Sequence, residues 1–150
     1  SGNPMDDCKH GSHCAGIIGA CGNNNVGVAG IAWAARIMGL KFCDANGNGG
    51  TVDAIRCLNY AEDHGARVIN CSWIVKGQWD TPLAQKIEVM GLKGILFVCA
   101  AGNANKGEEQ VNVDEGPPTY PACFTHSNVI AVAATDANDE RGAGPCARRS

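Results

Sequence analysis

Arg67-Val68-Ile69-Asn70-Cys71, then Thr81-Pro82 leading into Leu83, Ile87 and Met90, then Gly94 and Ile95-Leu96-Phe97-Val98-Cys99-Ala100: these residues decide the fold. Two short apolar runs, each the length of a buried strand, flank a segment whose apolar positions recur every three to four residues, which is the period of a helix. Thr81 reads as the helix cap, Pro82 as its first helical residue and Gly94 as its end. Strand, helix, strand in this order is a βαβ unit, and such units build a parallel sheet.

Working outward, the same alternation runs from Arg36 to Thr135. A strand is expected at about Arg36 to Phe42, followed by a turn-rich stretch, Asp44 to Gly50. Thr51 then caps a helix carrying Ile55, Leu58 and Ala61 or Glu62, and Gly65 ends it. A last strand is expected from Asn128 to Thr135. Between the final two strands, residues 103 to 121 are polar with Gly and Pro, so they read as a long surface loop of the kind that borders sites. The expected fold class is therefore α/β, a parallel β-sheet with helices on both faces.

Composition narrows the function classes. Charged residues make up 18% and the net charge is -3, so there is no field to draw in nucleic acid or an anionic membrane. The longest apolar stretch, Ile95 to Ala101, is far shorter than the roughly 20 residues of a spanning helix, and Ser1-Gly2-Asn3-Pro4 has no signal-peptide character. Partners are expected in pockets. The nine cysteines include no Cys-x-x-Cys pair, and Cys14, Cys57, Cys71 and Cys99 sit within apolar runs. Reduced, buried thiols are the favoured reading, with one or two disulfides as the alternative.

Two segments carry residue types suited to chemistry. His10 opens a run of small and apolar residues, Gly11 to Ala20, that reads as a helix. A histidine in the first turn feels the positive end of the helix dipole, which disfavours the imidazolium and leaves the ring free to accept a proton. Asn103 follows a buried strand, so its carboxamide is expected at the carboxyl edge of the sheet, where open α/β sheets place their sites.

His10-Gly11-Ser12-His13-Cys14-Ala15-Gly16 and Ala100-Ala101-Gly102-Asn103 resemble the general-base and oxyanion-hole segments of subtilisin-like serine proteases, in that family's order. The segments 3–7, 23–30 and 68–72 match the family's pattern as well. The resemblance implies the central part of a subtilase-like peptidase domain over residues 3–135, incomplete as a three-layer α/β/α domain, with 136–150 as a divergent tail. It implies His10 as general acid/base and Asn103 as oxyanion donor, with a peptide or protein as substrate and no organic cofactor. By the same resemblance Ser72, Trp73 and Ile74 begin the edge that pairs with an extended substrate, and Ala101 and Gly102 line its specificity pocket. Ser12 replaces the family's usual threonine, and Ile74 and Val75 stand where it uses glycines, which is expected to narrow the cleft. Cys14 resembles the thiol that some subtilases hold beneath the histidine. A secretory route is implied for the whole protein.

Asn23-Asn24-Asn25 resembles the family's calcium loop, with Asn24 as side-chain ligand and Gly22, Val26 and Val28 as main-chain ligands. The carboxylate that the family brings from elsewhere has no counterpart here, so weak or absent binding is expected. A plain Asn-rich turn is the other reading. No segment resembles the family's aspartate or nucleophilic serine motifs, and none of Ser1, Ser12, Ser72, Ser127 and Ser150 fits the latter. The chain by itself is therefore expected to be inactive. Two rivals stand beside the protease: a catalytically dead, peptide-binding relative, and a metal protein using Cys8, His10, His13 and Cys14, whose spacing lacks the paired pattern of zinc sites. Gly47-Asn48-Gly49-Gly50 between strand and helix invites a nucleotide-binding reading, but Val52 replaces the third glycine of that fingerprint.

Overall fold

The computed structural model describes residues 4–77, 79–102, 118–135 and 138, and the chain divides into two compact units, Ser1–Gly65 and Ala66–Ser150. Helices α1, His10–Gly19, and α2, Thr51–Asp63, belong to the first. The loop that leaves α1 folds back on the helix end: Gly30, Ile31 and Ala32 donate their amides to the carbonyls of Ala20, Ile17 and Ile18 at 2.9, 3.0 and 2.8 Å. Carbonyls at a helix C-terminus have no partner within the helix, and this return supplies one. Only glycine fits at position 30, since a Cβ there would lie 2.4 Å from Ala20 N and 2.8 Å from Gly16 O. The Trp33 indole covers Gly22 and donates to Gly30 O at 2.6 Å, which holds the loop shut.

Helix α2 starts one residue earlier in its capping than the sequence suggests. Gly50 is the cap and Thr51 the first helical residue, with Asp53 in the first turn where a negative charge suits the dipole. Its buried stripe is Ala54, Leu58 and Ala61, one residue out of phase with the expected Ile55, which is only half-buried. Gly65, at φ 77°, ends the segment as expected. The strand expected at Arg36 to Phe42 is not formed. Among the described residues nothing ladders with it, and a strand exists only through its partners; a single antiparallel bridge joins Cys43 to Gly49 just beyond. Between them Asp44 closes a turn, its Oδ1 accepting from Asn46 N and Asn48 N at 2.9 Å each, which pulls its pKa below the ordinary value.

The second unit holds the βαβ core. Strands β1, Val68–Cys71, β3, Leu96–Ala100, and β5, Val129–Val132, form a parallel sheet in the order β1-β3-β5. A two-residue ribbon pairs β2, Val75–Lys76, with β4, Thr119–Tyr120, antiparallel. Helix α3, Thr81–Leu92, crosses from β2 to β3 and packs on β3. Its cap is Asp80, whose Oδ1 accepts from Leu83 N at 3.0 Å; a carboxylate there outcompetes the Thr81 hydroxyl expected for that role. Leu83, Ala84, Ile87 and Met90 are buried, and so are Phe97 and Cys99 of β3. The opposite sheet face carries Val68, Leu96, Ile130 and Val132, all exposed. Within this unit, then, the described residues place a helix on one face of the sheet.

Asn128 stitches these layers together. Its carboxamide is buried and donates to Ile87 O of α3 and to Ile95 O just before β3, at 3.0 and 3.1 Å. Gly91 makes room for it, because a Cβ at that position would come within 2.6 Å of the Asn128 side chain. Trp79, Tyr120 of β4 and Phe124 form an aromatic cluster in this unit, with ring centroids 4.6 to 5.5 Å apart.

Candidate functional site

His10 is the first residue of α1, exposed, and its place is fixed by a carboxylate four residues upstream. Lys9, at the cap position, is left-handed with φ 69° and offers no side-chain acceptor. Asp6 takes over that task. Its Oδ1 accepts from Cys8 N at 3.0 Å and Lys9 N at 2.9 Å, and its Oδ2 from Ser12 N at 2.7 Å. The Ser12 amide and hydroxyl, then the Cys8 and Lys9 amides, all favour the ionised carboxyl and lower its pKa to about 2. From the other side Lys41 anchors the same segment, its Nζ meeting Asp7 Oδ2 at 2.5 Å and Met5 O at 3.2 Å. Cys14, one turn along α1, brings its Sγ within 4.0 Å of His10 Nε2. An exposed imidazole on a pinned helix start can exchange a proton with a group that approaches it.

The second cluster lies at the carboxyl edge of the parallel sheet. Cys71 and Cys99 are register partners, so Ser72 and the run Ala100, Ala101, Gly102 leave adjacent strands at the same edge. Ser72 Oγ accepts from Asn70 Nδ2 at 2.9 Å, and Trp73 and Ile74 follow it half-buried. Ala101 is buried between two partners: its amide donates to Val132 O at 2.9 Å, and its carbonyl accepts from Thr119 Oγ1 at 2.9 Å. Gly102 adopts φ 119°, a left-handed conformation that side chains disfavour, and a Cβ built on it would meet Thr119 Cγ2 at 3.3 Å. Thr119 thus forms a wall against Ala101 and Gly102. Asn103 lies outside the described residues, as does most of 136–150.

Val75 and Lys76, just past Ile74, are paired with Tyr120 and Thr119 in the ribbon. The expected narrowing by Ile74 and Val75 therefore concerns a strand whose far end is already tied to the Thr119 wall. Two residues are not marked as functional by the sequence, Asp6 and Thr119. Asp6 reads as part of the loop leading into α1. Thr119 falls in the stretch expected as a surface loop but is buried in β4, because it pairs with β2 and bonds Ala101. For Asp6 a signal existed, an acidic residue just upstream of a helix start, but its two-oxygen role needs the left-handed turn at Lys9. Nothing in sequence alone marks Thr119, which meets Ala101 from 18 residues away.

The loop from Gly22 to Val28 borders a shallow, open hollow of about 230 Å³ lined by residues 21–29. Asn24 Oδ1 accepts from Val26 N at 3.0 Å, and Asn23, Asn25 and Gly27 are left-handed. The lining holds amide side chains and carbonyls but no carboxylate, whereas calcium takes roughly six to eight oxygens and its tight sites include charged ones. These residues do not by themselves make a calcium site. Among the described residues no group of three or more His, Cys, Asp or Glu is placed to hold a metal ion, which argues against the Cys8-His10-His13-Cys14 reading. No helix among them is long and apolar enough to cross a membrane.

Comparison with known proteins places these features in context. The profile of the subtilase family matches residues 2–150. Thermitase of Thermoactinomyces vulgaris is 38% identical over 138 residues, covering 92% of this chain and 45% of that protein. The thermophilic serine proteinase of Bacillus sp. strain AK1 is 37% identical over 137 residues, covering 91% and 31%. Subtilisin-like protease 1 of Plasmodium falciparum is 34% identical over 149 residues, covering 93% and 21%. The chain thus spans less than half the length of these relatives. With the family's profile running from the His10 helix through the edge that bears Ala101 and Gly102, the chain belongs to the subtilase family.

Proposed function

We propose that the protein carrying this chain is a serine endopeptidase that cleaves peptide bonds through an acyl-enzyme, with His10 as general acid/base and Asn103 as oxyanion donor. The observation that carries the reading is the subtilase match through both the His10 and the Ala100–Asn103 segments. In such a mechanism the imidazole takes the proton of an attacking serine hydroxyl and returns it to the leaving amine. The carboxamide N–H of Asn103 stabilises the oxyanion that forms in between, an interaction stronger in the transition state than in the substrate complex. Relatives named as serine proteinases support the same chemistry. The nucleophile and its aspartate have no counterpart among residues 1–150, so this stretch alone does not turn over.

Labelling with a serine-directed fluorophosphonate tests the reading. The full-length protein is expected to be labelled and residues 1–150 alone are not; labelling of the short chain would contradict the assignment. In the full-length protein Asn103→Ala is expected to lower kcat about 100- to 1,000-fold, the cost of one such donor in a subtilisin, with KM little changed. Full turnover in that variant would remove Asn103 from the mechanism. A second reading, a peptide-binding relative without catalysis, is favoured by Ile74 and Val75 in place of glycines; it requires saturable peptide binding with no labelling of the full-length protein.

A further inference from the structure

We propose that Asp6 is a positioning residue for His10: its carboxylate sets the backbone from which the imidazole projects, and its two oxygens do separate parts of that work. The inference rests on the reading of His10 as general base. It starts from an anomaly in α1. A helix start ordinarily gains a side-chain acceptor at the cap, but Lys9 supplies none and is left-handed at φ 69°. The amides around His10 are instead collected by one side chain from outside the helix. Oδ1 of Asp6 closes the turn at Cys8 and Lys9, and Oδ2 reaches past His10 to Ser12 N. His10 is therefore held between two tethered residues, Lys9 before it and Ser12 after it.

Lys41 makes this arrangement rigid from the opposite end, because it grips Met5 O and Asp7 on either side of Asp6. Gly11 lies against the carboxylate as well, a Cβ there coming within 3.7 Å of Asp6 Oδ2, so the first turn of α1 wraps closely round it. Charge adds to geometry, since a carboxylate at a helix N-terminus is stabilised by the dipole. What Asp6 controls is the direction of the His10 Cα–Cβ bond. A general base displaced by about 1 Å loses about 100-fold in rate, so a residue that never touches substrate can still govern turnover.

The two-oxygen division gives a substitution series with distinct outcomes. Asp6→Ala removes every tether. Asp6→Asn keeps the Oδ1 acceptor for Cys8 and Lys9 but turns an NH2 toward Ser12 N, a donor facing a donor. In the full-length protein, kcat per active site, counted by fluorophosphonate titration, is expected to fall about 10- to 100-fold in Asp6→Ala with KM within about twofold. Asp6→Asn is expected to lie between, and Asp6→Glu to recover part of the loss by restoring both oxygens. A thermal melt of each variant accompanies the kinetics. Unchanged kcat per active site in Asp6→Ala, or in Asp6→Asn if the alanine variant does not fold, overturns the proposal. So does an Asp6→Asn variant that fails to fold, because the carboxylate would then serve the fold and not the ring. Full turnover in His10→Ala would instead defeat the underlying active-site reading, whatever the Asp6 series gives.

Discussion

Asp6 presents a charged side chain with all its hydrogen bonds on the ionised form, and its titration reports them directly. Its pKa is lowered from 3.8 to about 2, so the folded form binds a proton less readily than the unfolded chain. Stability from these bonds is accordingly present above the unfolded value and is lost as pH falls through the folded one. A carboxyl-carbon NMR titration is expected to place the Asp6 midpoint near 2, with the Ser12 amide losing exchange protection over the same range; a midpoint near 4 would mean that the bonds to Cys8, Lys9 and Ser12 are not made. At this scale the sequence spoke unevenly. His10 is legible because a histidine at a helix start belongs to a recognisable string. Asp6 reads only as part of the loop before it, because its job depends on a left-handed turn at Lys9, a residue type with no preference for that conformation.

Among elements, α3 and its neighbours were the most legible and make the sharpest demands. The expected runs 67–71, 81–94 and 95–100 correspond closely to β1, α3 and β3, because strand length, a helix-period stripe and flanking glycines all agree there. Arg36 to Phe42 shows the limit: its apolar character is that of a strand, yet strand formation depends on a neighbour that local pattern does not specify. The clasp made by Asn128 was likewise invisible, since its partners Ile87 and Ile95 lie 41 and 33 residues away. Asn128→Ala leaves two carbonyls without their donor in a buried place, and is expected to destabilise the protein by about 1–3 kcal/mol. Gly91→Ala, which drives a methyl into the same carboxamide, is expected to cost about 1–3 kcal/mol as well. Urea unfolding of the two single variants and the double variant checks both; additive costs would mean that residues 91 and 128 do not share one contact.

Across the whole molecule, thiol burial grades the structure. Cys71 and Cys99 are buried register partners in the sheet, and the hydrogen bond that the protonated Cys71 thiol makes to Cys99, together with desolvation, drives the Cys71 thiol pKa far upward. Burial raises Cys43 and Cys57 too, while Cys21 is exposed. Brief iodoacetamide treatment of the folded protein, read by mass spectrometry, is expected to modify Cys21 first and to reach Cys71 and Cys99 only with denaturant. Early modification of Cys71 would contradict the buried parallel core. The expectation of burial holds for those two sheet residues, whereas Cys8, Cys14, Cys43, Cys57 and Cys123 are half-buried. The site divides in the same manner: Ala101 and Gly102 are where a strand end puts them, and their neighbour Thr119 arrives from a distant ribbon.

Turnover of a peptide substrate by the full-length protein carrying His10→Ala tests the account most directly. Removing the imidazole is expected to lower kcat on the order of 10⁶-fold, as the same loss does in a subtilisin, with the thermal melt unchanged. A folded His10→Ala protein that retained its turnover would contradict the account.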